Sequence, residues 1–149
     1  MRDIFTALAG MAMAALIALA GPVAPVSAAE AVRIAIHVDE NDPARMNMAL
    51  NNAQNVRSYY EAQGVPVEIE IVTYGPGLDM LIAGKSPVAS RVAAMSLEGV
   101  TFSACANTMA GIEKRTGEKP KLLDEAQVVP SGVVRLVELQ RAGWAYIRP

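Results

Sequence analysis

Five short apolar runs rich in β-branched residues, separated by stretches of helical spacing, constrain the fold more than any other feature of this chain. Val32–Val38 is the first run. Asp42 then stands as a helix N-cap, with Pro43 at the first helical position. Met46, Ala49, Leu50, Ala53, Val56 and Tyr60 recur at three- and four-residue spacing until Gly64 stops the helix. Residues 67–72 form the second strand, whose alternating Glu68 and Glu70 predict a sheet edge or a half-exposed face. After Gly75-Pro76-Gly77 the pattern predicts a short helix over 78–83 and another from Ser86-Pro87 to Leu97. Strands over 101–104, 126–129 and 144–147 complete the set, with helices over 107–115 and 133–141 between them.

Alternation of this kind predicts an α/β fold with a mainly parallel sheet and helices on both faces. Right-handed crossovers bring all the strand C-termini to one edge, where open sheets of this class bind ligands. That edge collects 37–42, 74–77, 104–108 and 130–132.

Two segments are expected. Residues 1–29 have the form of a secretory signal peptide: Arg2, an apolar run over 4–20, helix-breaking Gly21, Pro22 and Pro25, and the small residues Ser27-Ala28-Ala29. Residues 30–149 make a single domain, periplasmic or secreted, with no membrane association once the signal is removed. A formal net charge of −2 gives no reason to expect nucleic acid as a partner.

Chemistry centres on Cys105, the only cysteine, where the third strand gives way to a helix. A thiol at a helix start meets free backbone N–H groups and the positive end of the helix dipole, both of which favour the thiolate. In an exported chain a solitary cysteine is either a buried apolar residue or a reactive group. Asn107 and Thr108 are expected to cap the following helix. His37, the only histidine, is a candidate to stabilise the thiolate or move a proton. Asp39, Gly75, Gly77, Asn107, Thr108 and Ser131 are candidate ligand-binding residues at the same edge. Gly75-Pro76-Gly77 lacks the phosphate-cradling fingerprint, and no P-loop lysine follows it, so no nucleotide cofactor is implied. No CxxC or HExxH spacing points to a metal. Arg91 and Arg135 read as surface charges. Asn51, Asn52 and Asn55 read as lining a pocket or bonding across a subunit contact.

The sequence blocks over 37–47, 51–55, 74–78, 102–109 and 128–136 resemble the exported branch of the DsrE/DsrF-like family. The resemblance implies a three-layer α/β/α sandwich around a five-stranded, mainly parallel sheet, assembled as a homo-oligomer (trimer or hexamer). It also implies carriage of sulfur as a persulfide on a cysteine after a central strand, the place of Cys105, with a sulfur donor or acceptor protein as partner. The alternative is a non-catalytic module of the same fold that binds a small ligand or metal or serves in assembly. A third reading leaves Cys105 as a purely structural residue.

Overall fold

A computed structural model describes residues 30–149. The expected signal segment, 1–29, lies outside the described residues. Five strands form one sheet: β1 (Val32–Val38), β2 (Val67–Thr73), β3 (Val100–Cys105), β4 (Ala126–Val129) and β5 (Ala145–Ile147). Their order is β4-β3-β2-β1-β5, and every strand pairing is parallel. Four α-helices connect them: α1 (Pro43–Glu61), α2 (Ala89–Leu97), α3 (Ala106–Thr116) and α4 (Gly132–Arg141). The segment after β2, expected as a helix over 78–83, is instead a 3-10 helix over Gly75–Leu81. Asp42 caps α1 as expected, accepting the Ala44 N–H at 2.8 Å.

Strand order explains how the helices divide between the two faces. From β1 to β4 the chain steps steadily one way, so right-handed crossovers put α1, α2 and α3 on one face. The main core lies there: Ile34, Ile36, Ile69, Ile71 and Phe102 of the sheet pack under Met46, Leu50, Val92 and Met109. The return from β4 to β5 reverses direction and carries α4 to the opposite face, where Leu136 and Leu139 pack on Ala35 and Val72. Among the described residues a single helix therefore covers the second face, over the C-terminal half of the strands.

Two sequence expectations are corrected by this arrangement. β2 is the central strand of the sheet, not an edge. Glu68 is exposed because α4 does not reach it, whereas Glu70 is buried, 2% exposed, beneath α4. Arg135 of α4 is correspondingly no free surface charge: its Nε and Nη2 donate to the two carboxylate oxygens of Glu70 at 2.8 and 2.7 Å. Ser103 Oγ adds a third bond to Glu70 Oε1 at 2.6 Å. Arg91 is also engaged, donating to Asn47 Oδ1 at 2.7 Å and Asn51 Oδ1 at 2.8 Å, which ties α2 to α1 within one chain.

Candidate functional site

Side chains alternate across a strand, so residues in register on parallel neighbours share a face. His37 is in register with Val72, and Val72 with Ser103; Cys105 lies two residues beyond Ser103. Cys105, His37 and Tyr74 therefore all stand on the α4 face at the C-terminal edge of the sheet. Tyr146, in register with Ala35, joins them from β5.

Cys105 is the N-cap residue of α3, with extended backbone (φ −74°, ψ 115°). The expectation that Asn107 or Thr108 caps this helix is corrected, since the thiol residue itself occupies that position. α3 makes no side-chain cap bond. The N–H groups of Asn107 and Thr108 in its first turn are near enough to the sulfur to favour its ionised form. Burial pushes the Cys105 thiol up, but the Thr108 hydroxyl and the N–H groups of Gly132, Thr108 and Asn107 more than offset it, and the net shift is downward. Thr108 Oγ1 accepts the Gly75 N–H at 2.9 Å, and the same hydroxyl favours the ionised form of the sulfur. Gly132 is the first residue of α4, so the starts of two helices, α3 and α4, both favour the ionised form of this sulfur. The residue is 4% exposed.

His37, also 4% exposed, stands two strands away from Cys105 and two residues short of it, more than about 10 Å by strand geometry. The two do not form a contact pair. Nδ1 of His37 is 2.8 Å from the Tyr146 hydroxyl, and the ring stacks on Tyr74 with centroids 4.5 Å apart. Nε2 has no hydrogen-bond partner among the described residues, and Asp39 Oδ2 is 3.8 Å away. Burial lowers the His37 pKa, Asp39 opposes the shift, and Arg148 adds to it. Tyr74 follows β2, the strand that lies between those of His37 and the thiol. Burial raises its pKa first, with smaller contributions in the same direction from Asp39, Tyr146 and Cys105.

The remaining candidates divide. Asp39 is held in a two-bond fork by Arg148, at 3.1 and 3.0 Å. Gly75 adopts φ +55°, a left-handed conformation that frees its N–H for Thr108. Gly77 packs so closely on β1 that a Cβ would come within 2.6 Å of the Val38 carbonyl carbon. Ser131 precedes α4 and makes no side-chain cap bond; it is the next residue, Gly132, that reaches the sulfur. Gly75, Asn107 and Thr108 also line a cleft of about 650 Å³, together with Asn41, Lys85 and Arg115. Among the described residues no group of three or more His, Cys, Asp or Glu is arranged to hold a metal ion. Sequence reasoning missed Gly132, Glu70 and Tyr146 as parts of this site. Only the Pro-Ser-Gly turn at the sheet edge pointed toward Gly132.

A model of the DsrE/DsrF-like family matches residues 29–149. The chain belongs to the DsrE/DsrF-like family. A solved structure of a protein of unknown function from Methanobacterium thermoautotrophicum is 35% identical to this DsrE/DsrF-like chain, with a TM-score of 0.70. The match covers 79% of this chain and 99% of that one. No curated protein matches the sequence. The family and the solved relative agree with the five-stranded α/β architecture expected from the strand–helix alternation.

Proposed function

We propose that this DsrE/DsrF-like protein is an exported sulfur carrier that holds a sulfane sulfur as a persulfide on Cys105. The observation that carries the reading is that the α3 and α4 starts both favour the ionised form of a sulfur whose pKa is held below the ordinary thiol value. A buried cysteine that serves only packing needs no such donors, and burial alone would raise its pKa. Family membership supports the same chemistry.

The step balances without any external oxidant when the donor itself carries sulfane sulfur. The Cys105 thiolate attacks the outer sulfur of thiosulfate, the S–S bond of the donor breaks, and sulfite leaves with the electron pair. Cys105 is left as a persulfide anion. An acceptor thiolate then attacks the terminal sulfur, forms its own persulfide, and returns Cys105 to the thiolate. The donors that stabilise the thiolate are placed to stabilise the persulfide anion during transfer. The neighbouring cleft, lined by Gly75, Asn107 and Thr108, carries Lys85 and Arg115, charges suited to a small anionic donor. A homo-oligomer remains part of this reading.

Intact mass after incubation with thiosulfate or polysulfide tests it. The wild-type protein gains the mass of one sulfur atom, dithiothreitol removes it, and Cys105→Ser gains nothing. An unmodified wild type, or the same gain on Cys105→Ser, ends the carrier reading.

A further inference from the structure

Among the described residues α4 is the only helix on its face of the sheet, where Leu136 and Leu139 pack on Ala35 and Val72. Apolar burial is non-directional, whereas a hydrogen-bonded ion pair sets both distance and direction. The position of Gly132 against Cys105 needs a more specific constraint. Two are present. Arg135, one helical turn after Gly132, forks onto both oxygens of buried Glu70 at 2.8 and 2.7 Å. Ser103, two residues before Cys105, binds the same carboxylate at 2.6 Å. Gly132 itself abuts Tyr74 so closely that a Cβ would lie 2.7 Å from Tyr74 Cδ1 and 3.0 Å from its Cβ.

We propose that Glu70 and Arg135, with the Tyr74–Gly132 contact, act as positioning residues that hold the first turn of α4 against the sulfur of Cys105. None of the four touches a substrate in this scheme. Glu70 ties strand to helix one layer below the thiol, so that β3 and α4 meet in a single register. A buried ion pair is a poor device for stability alone, because apolar residues of similar volume commonly do as well. Its planar two-point geometry, however, does fix direction and distance. The Tyr74 ring then acts as a stop against which the glycine backbone rests. The functional meaning of this arrangement rests on the sulfur-carrier reading, but its test does not.

The readout is the pH profile of Cys105 alkylation by iodoacetamide in the folded protein, which requires no sulfur donor. The midpoint reports ionisation, and the plateau reports access, so the two are separated. In Gly132→Ala the added methyl collides with Tyr74 and displaces the N–H. In Arg135→Lys the charge is kept and the fork is lost. Both profiles are expected to move to higher pH, with about a tenfold fall in rate at neutral pH, the loss of one donor to a charged sulfur. Midpoints that coincide with wild type in folded Gly132→Ala or Arg135→Lys overturn the proposal. If either fails to fold, Glu70→Gln/Arg135→Met decides, since it removes both charges together and leaves no buried ion unpaired. A wild-type midpoint in that variant overturns the proposal, and an upward shift upholds it. Failure of sulfur loading with these shifts intact would remove the carrier function and leave the positioning role standing.

Discussion

The hydroxyl of Thr108 accepts the N–H of Gly75 at 2.9 Å and, from the first turn of α3, favours the ionised form of the Cys105 sulfur. It links the turn after β2 to the thiol after β3. Thr108→Val removes the donor and leaves the Gly75 N–H without its acceptor. Alkylation of Cys105 at neutral pH is expected to fall about tenfold, and Thr108→Ser to stay near wild type. Rates from mass spectrometry at several pH values check this.

His37 makes the fold sensitive to acid. Its folded pKa lies below the ordinary 6.5, chiefly because of burial. Between those two values the unfolded chain holds a proton that the native protein does not, so stability rises with pH there. The contribution is fully present above pH 6.5 and is lost as pH falls through the folded pKa. Urea denaturation across mildly acidic pH should show a smaller slope in His37→Gln than in wild type.

Arg148 adjusts the same histidine from the surface. It lowers the His37 pKa directly and occupies Asp39, whose charge acts in the opposite direction. Arg148→Ala is expected to raise the His37 pKa. Proton NMR reads this cleanly because the chain has one histidine.

Gly77 is confined by backbone, which cannot swing away as a side chain can. In Gly77→Ala the new methyl meets the Val38 carbonyl and Asp39 Cα. A loss of about 2–3 kcal/mol is expected, at the upper end for overpacking. Chemical denaturation measures it, and an unchanged midpoint would contradict the packing account.

Removing Arg135 strands a buried carboxylate. Arg135→Ala is expected to cost about 3 kcal/mol, near the lower end for a broken buried pair because the guanidinium is one-third exposed. Glu70→Gln/Arg135→Met should recover most of that loss in the same denaturation assay.

Local sequence carried the elements but not their long-range partners. Asp42, Pro43 and Gly64 mark the limits of α1 because capping and chain reversal act within a few residues. The strand-to-helix change at Cys105 was legible for the same reason. Glu70 was not, since its burial depends on Arg135, 65 residues later, and on α4 crossing the sheet alone. The alternation at Glu68 and Glu70 reads identically whether a face is wet throughout or covered at one end. Thr108 has the composition of a cap, but its hydroxyl is committed to Gly75 and Cys105 instead. Tyr146 gave no signal, because its meeting with His37 depends on β5 pairing with β1.

The return of α4 across the sheet has a consequence for synthesis. A ribosome that has translated as far as Pro120 has made the cysteine, Asn107 and Thr108, but not the second helix that completes the sulfur's surroundings. The nascent thiol therefore lacks one of its donors until the C-terminal segment is made and docks. In this fold, the thiol meets its complete set of neighbours only in the finished chain.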